Sequence, residues 1–153
     1  NETIICDLFS RDMRTGHFAD MTRTYVKGEP SEYVQKMYSS VQKAQEAAID
    51  AIRPGVVMEG VHQVCVDIFL QDGFDVGDAG FIHGTGHGLG IDIHESPYVK
   101  SGSKTVIKEG MVFTIEPGLY YPEHGGVRIE DVVCVRKDGA ENLTQYPKQL
   151  CIV

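Results

Sequence analysis

Asp7, Asp20, His87, Glu116 and Glu130 each sit inside a short apolar or glycine-rich phrase: IICDLF, FADMTRT, HGTGHGLG, FTIEPGLY and VRIEDVV. These phrases read as strands or strand edges. A carboxylate buried in an apolar strand costs several kcal/mol unless it is paired or bound to a metal. For any single glutamate the ordinary alternative is an ion pair, such as Arg128 with Glu116 or Glu130. Four carboxylates and an imidazole are better explained together, by a shared cation. One divalent ion would leave excess negative charge, so two are expected. The oxygen-rich set with one imidazole suits manganese first, with cobalt, iron or zinc as alternatives. Two ions roughly 3.5–4 Å apart can share and deprotonate a water, which implies a hydrolase using a bridging hydroxide.

Three histidines surround the glycine-rich phrase. His83 and His87 are four apart, a spacing that on a helix would suggest a zinc pair. Gly84, Gly86 and Gly88 forbid a helix there. A glycine-rich loop lets the backbone approach a ligand closely while it presents imidazoles at set angles. His83, His87 and His94 are therefore candidates for chemistry. His17, His62 and His124 have no such company and read as surface or packing residues.

The elements that must position these groups follow from periodicity. Ile4–Phe9 is expected as a strand with Ile5, Asp7 and Phe9 on one face and Ile4, Cys6 and Leu8 on the other. His17–Val26 returns as a second strand after the SRDMRTG turn. Apolar residues at helical spacing predict a helix from Ser31 to about Arg53, ended by Pro54-Gly55. A second is expected from about Glu59 to Asp72, ended by Gly73. Val112–Tyr120 and Val127–Val135 form a second expected strand pair, which places Thr114 with Glu116 on one strand face and Arg128 with Glu130 on another. Thirteen positions separate the two aspartates and fourteen the two glutamates, with one carboxylate per strand. That is a weak internal repeat, and it suggests two similar halves sharing one site. LTQYPKQLCIV reads as an irregular tail.

A chain of 153 residues suffices for one domain with its own core. The net charge of −8 argues against nucleic acid and anionic membranes as partners. No apolar run reaches membrane-span length. Cys6, Cys65, Cys134 and Cys151 are scattered without a CxxC pair, which suits small buried thiols in a reducing, cytoplasmic setting. Asn1 is followed almost at once by a strand, so residues 1–153 read as the C-terminal portion of a longer catalytic domain.

CDLF, ADMTRTYVKG, HGTGHGLGIDIHESP, FTIEPGLY and VRIEDVV, in this order, resemble the catalytic domain of the pita-bread (M24-type) metallopeptidases. That family includes methionine aminopeptidase, aminopeptidase P and prolidase. The resemblance implies an α+β fold with a curved antiparallel sheet and helices on its outer face, here lacking the upstream part. It places Asp7, Asp20, His87, Glu116 and Glu130 at the ligand positions of a dinuclear centre. His83 and His94 fall where the family has histidines that contact substrate and the tetrahedral intermediate. Arg128 falls where the proline-specific branch has an arginine behind the ligands. ADMTRT and VRIED favour that Xaa-Pro branch, because methionine aminopeptidases generally lack the arginine and follow the last glutamate with His rather than Asp131. The aspartates are two positions further apart than is usual in aminopeptidase P and prolidase, which lengthens the SRDMRTG turn.

The expected function is removal of an N-terminal residue preceding proline, with Glu116 as ligand and proton shuttle and His83 and His94 stabilising the oxyanion. The expected partners are a peptide with proline at its second position and a second copy of the chain. Methionine aminopeptidase is the enzymatic alternative. A catalytically silent binding module, or an inactive fragment, is the alternative of another class.

Overall fold

The computed structural model describes residues 2–153. Strand β1 (Glu2–Leu8) pairs antiparallel with β2 (Met21–Lys27), so that Asp7 faces Thr22 and Ile5 faces Thr24. Between them the Asp12 carboxylate accepts from the amides of Arg14 and Thr15, and Gly16 turns the chain at φ 76°. The second strand begins later than the sequence suggests. His17–Asp20 is loop apart from a single bridge between Phe18 and Arg11, and the Phe18 amide bonds to Gly90 instead of to the hairpin.

Helix α1 (Glu32–Ala51) starts at Ser31, whose side chain accepts from the Val34 amide, and stops before Pro54. Its buried stripe contains Val34, Met37, Val41, Ala44 and Ala48. The alanines let α2 (Met58–Gln71) approach closely, with the Cys65 thiol 3.6 Å from the Ala44 carbonyl. Gly73 ends this second helix at φ 82°. Both helices lie on one side of the sheet. They bury Phe69, Phe81, Phe113, Ile115, Leu119, Val127, Ile129 and Val133, each such side chain contributing about 1.5–3 kcal/mol.

The glycine-rich phrase is not helical. It supplies β3 (Gly86–Gly88), followed by β4 (Glu95–Val99). The two long strands expected after residue 110 are instead four short ones: β5 (Val112–Ile115), β6 (Gly118–Tyr121), β7 (Gly125–Arg128) and β8 (Asp131–Arg136). Strand β6 pairs with β7 as a separate ribbon. Strand β5 pairs with β8 in a five-stranded sheet of order β4-β3-β5-β8-β9, where β9 is Gly139–Asn142. The first break falls at Glu116-Pro117, where proline has no N–H for a ladder. The second falls at Ile129-Glu130, where the chain leaves β6 and bonds to β2: the Glu130 amide donates to the Thr22 carbonyl. Neither glutamate lies in a strand. The C-terminal tail, expected to be irregular, adds β10 (Cys151–Ile152) parallel to β2.

The architecture is α+β with mainly antiparallel sheets, as expected. No helix among the described residues is long and apolar enough to cross a membrane. Cys65 and Cys134 are buried, whereas Cys6 is half-buried and Cys151 is exposed on the terminal strand, so the expectation of four buried thiols holds for two of them.

Candidate metal centre

The strand breaks aim the acidic groups. Asp7 lies near the end of β1, and Glu116 directly follows β5. Asp20 directly precedes β2, and Glu130 directly precedes β8. Each expected pair thus has one carboxylate at the exit of a strand and one at the entrance of the strand that pairs with it, which extends the likeness between the two halves. Asp7 stays in the β1–β2 ladder, but Glu116 and Glu130 lie outside any ladder and their backbone is held individually. The Glu116 amide donates to the Thr85 carbonyl at 2.7 Å, and the Glu130 amide to Thr22 at 3.0 Å.

His87, at the middle of β3, turns its ring into the cluster. Nδ1 lies 3.1 Å from the Gly88 carbonyl, which can only accept, so Nδ1 carries the proton. Nε2 then faces Glu116 Oε1 at 3.1 Å and Asp20 Oδ2 at 3.8 Å. An imidazole fixed through Nδ1 to a carbonyl, with Nε2 turned toward carboxylates, has the orientation of a metal ligand. The Thr114 hydroxyl bonds both the His87 amide and Glu116 Oε1. The Thr22 hydroxyl donates to Glu130 Oε2 at 2.6 Å.

Asp20, His87 and Glu130 each offer an atom within 4.8 Å of the other two. Asp20 is 6% and Glu130 2% exposed. Burial, together with the nearby Asp7 carboxylate, raises the Asp20 pKa to about 6. Burial and the charges of Glu116 and Asp20 raise Glu130 to about 8. Burial also opposes ionisation of Glu116, but the hydrogen bond and charge of His87, with His83 and the Thr114 hydroxyl, together outweigh it and hold that carboxyl below its ordinary value. Packed this closely, the carboxylates lack counter-charge, which fits a cation among them.

Asp7 stands a little apart. Its Oδ2 accepts from Arg128 at 2.6 Å, so Arg128 pairs with Asp7 rather than with either glutamate. Even so, Asp7, Asp20, His87, Glu116 and Glu130 all line one cavity of about 130 Å³, together with Ile93 and His94. His94 is exposed and sets its ring edge-to-face against His87, 4.3 Å between centroids. A neighbouring cleft of about 270 Å³ runs between His83, His94, Tyr98, Lys100 and Arg128, with Glu116 at its floor.

Several residues of the site were not singled out from the sequence. The Tyr120 hydroxyl sits between His83 Nε2, at 2.9 Å, and the Arg128 guanidinium, at 3.2 Å. No signal in the residue order pointed to it, since Gly118 and Gly126 crowd its ring only in the fold. Thr22 and Thr114 gave none, since threonine is common in strands. His62 is a packing residue, as read, but a buried one: Nδ1 contacts the Thr85 hydroxyl at 2.8 Å, inside the glycine-rich phrase. Thr85 in turn holds Glu116.

The model of metallopeptidase family M24 matches residues 1–137. A probable dipeptidase, PepE, of Mycobacterium tuberculosis is 45% identical over 138 residues, 90% of this chain and 36% of that protein. An Xaa-Pro dipeptidase of Pyrococcus furiosus is 44% identical over 132 residues, 86% of this chain and 37% of that protein. Among solved structures, the prolidase of Pyrococcus horikoshii superposes with a TM-score of 0.90 at 37% identity, covering 97% of this chain and 41% of that one. The chain therefore spans about two-fifths of the length of the relatives it matches, and it has their pita-bread fold. With the match running through all five phrases that carry the candidate ligands, the chain belongs to metallopeptidase family M24.

Proposed function

We propose that these residues form the C-terminal part of the catalytic domain of an exopeptidase that removes the residue preceding proline at a dinuclear metal centre. The observation that carries this is the convergence of Asp7, Asp20, His87, Glu116 and Glu130, from five separate stretches of chain, on one cavity of about 130 Å³. The names of the relatives, dipeptidase and Xaa-Pro dipeptidase, support the substrate class.

In this reading the five side chains hold two divalent ions, manganese first on ligand hardness. When bound, the ions supply a hydroxide nucleophile at neutral pH and polarise the scissile carbonyl. Glu116 lies at the boundary between the ligand cavity and the wider cleft. There it takes the proton of the attacking water and passes it to the departing nitrogen. His83 keeps its Nδ1 proton on the Gly84 carbonyl at 2.7 Å, so its Nε2 accepts from the Tyr120 hydroxyl at 2.9 Å. His83, its one donor held by Gly84, orients the peptide from the wall of the cleft, and the exposed His94 stabilises the charge that develops on the carbonyl oxygen. Arg128 neutralises Asp7 and positions Tyr120.

The free thiols support a reducing, cytoplasmic setting. A homodimer is proposed through β1, the outer strand of its sheet, where Ile4 and Leu8 are exposed with Phe9 beside them. The proposed specificity is tested on the full gene product with manganese, comparing release of the first residue from Ala-Pro, Ala-Ala and Met-Ala-Ser. Preferential cleavage of Ala-Pro is expected. Preference for Met-Ala-Ser would replace this reading with methionine aminopeptidase, and no cleavage of any peptide by the metal-loaded protein would favour the silent binding module.

A further inference from the structure

Behind the ligands, on the side away from the cavity, lies a second charged cluster that takes no part in the reaction just described. Arg23, three residues after Asp20, has a side chain only 4% exposed. A guanidinium has five N–H donors, and here every one has an acceptor. Nε donates to the Pro147 carbonyl at 2.9 Å. One terminal nitrogen donates to the carbonyls of Thr22, at 2.8 Å, and Glu130, at 2.7 Å. The other donates to Asp131 Oδ1 at 2.7 Å and to the Tyr146 carbonyl at 2.8 Å. Asp131 is fully buried and also accepts from Gln45, Asn142 and Lys148.

The placement of these bonds matters more than their number. Glu130 lies at the break between β7 and β8, so its carbonyl has no ladder partner there. Arg23 supplies one. The Thr22 carbonyl accepts from both the Glu130 amide and Arg23. The peptide that carries Glu130 is thereby gripped on both sides by the strand that follows Asp20. A buried ion pair is weak evidence for stability alone, since well-packed apolar residues often serve as well. Two bonds to the backbone flanking a ligand do something apolar residues cannot do.

We propose that Arg23 is a positioning residue for the metal centre: its guanidinium clasps the Glu130 carbonyl and the Asp131 carboxylate, and so fixes the Glu130 ligand relative to Asp20. The inference rests on the metal-centre reading above. The carbonyls of the tail residues Tyr146 and Pro147 complete the clasp from behind, which gives the C-terminal segment a role in the site although it lies outside the cavity. Lysine cannot replace arginine here, because one compact ammonium cannot span carbonyls and a carboxylate on three segments.

The test is manganese titration of the 153-residue chain, of R23K and of K148M, with cobalt absorption spectra as a second readout. R23K keeps the charge and loses the fork. It is expected to melt cooperatively, to bind manganese about 10–100-fold more weakly, the usual cost of removing support behind a ligand, and to show an altered cobalt spectrum. K148M removes a charge beside Asp131 but leaves all five Arg23 bonds, and is expected to bind within about threefold of the unaltered chain. Unchanged affinity and spectrum in R23K, or an equal loss in K148M, would overturn the clasp. If R23K does not fold, nitrogen-15 NMR of the unaltered chain decides: the Arg23 Nε–H resonance should shift on adding zinc, and a resonance that zinc leaves unmoved overturns the proposal. Failure of the unaltered chain to take up any metal would instead overturn the metal-centre reading itself.

Discussion

Replacing Gly88 with alanine tests whether the glycine-rich phrase is a close-packed support rather than a flexible loop. Gly88 follows His87 in β3, and its carbonyl receives the His87 Nδ1 proton. Its φ is not in the left-handed region, so conformational freedom is not what the position requires. Close approach is. A Cβ there would lie 2.5 Å from the Ser96 carbonyl oxygen, 2.7 Å from its carbon and 2.9 Å from the Glu95 oxygen, all backbone atoms of β4. Ordinary contact begins at 3.4 Å, so β3 and β4 must separate by roughly 1 Å, against a packed interior that resists such shifts. Overpacking costs about 1–3 kcal/mol, and a rigid neighbour puts this case near 3. For a chain of this size that lowers the melting temperature by about 6–12 °C. The same displacement carries the His87 ring away from Asp20 and Glu116, so manganese affinity falls as well. The assay is urea unfolding of the metal-free chain, with a manganese titration alongside. Gly139→Ala is the control, because no atom lies within 4 Å of its Cβ and its φ is ordinary; it should be neutral or slightly stabilising, by up to about 1 kcal/mol. Equal unfolding midpoints for Gly88→Ala and the unaltered chain, or an equal fall in Gly139→Ala, would refute the reasoning.

Glu116→Gln in the full gene product should abolish turnover while leaving the fold intact, since the amide is nearly isosteric but cannot carry the proton; near-normal kcat with metal bound would show the role is misassigned. Adding manganese at about 100 times its dissociation constant should stabilise the chain by about 2.7 kcal/mol, or roughly 5–10 °C in a thermal melt, and a chelator should reverse the gain; a melt indifferent to both would argue against a cation among the buried carboxylates. Light scattering after size-exclusion chromatography should show a dimer, or aggregation at high concentration, relieved by Leu8→Lys at the exposed edge of β1; a clean monomer at high concentration would remove the proposed seam.

The helices were legible because their signals are local. Ser31 caps, a 3.6-residue stripe runs to Ile52, and Gly73 stops the second helix. The carboxylates were legible because a charge in an apolar strand needs a reason wherever it ends up. The strand breaks were not. Alternation runs unbroken through Thr114 and Glu116 and through Arg128 and Glu130, and only the pairing of β5 with β8 and of β6 with β7 shows that the strands divide. That choice depends on Thr22 and Thr85, which capture the Glu130 and Glu116 amides from far along the chain. Arg128 posed a similar problem. Sequence proximity suggested a glutamate partner, but the fold brings Asp7 to it from 121 positions away. The cluster of Arg23, Asp131 and Lys148 joins three distant segments, and neither spacing nor periodicity reports such a meeting. Asp131 alone hinted at it, as a second carboxylate in a strand whose other residues are mostly apolar.

The central claim is that Asp7, Asp20, His87, Glu116 and Glu130 together hold two metal ions. Crystals of the chain grown with manganese, and measured at a wavelength where manganese scatters anomalously, test it most directly. Two anomalous peaks within coordination distance of these five side chains, with the Asp7 carboxylate turned from Arg128 toward the metals, are the expected result. Saturating manganese that produces no peak in this cavity, or a single peak held without Asp7 and Glu116, would contradict it.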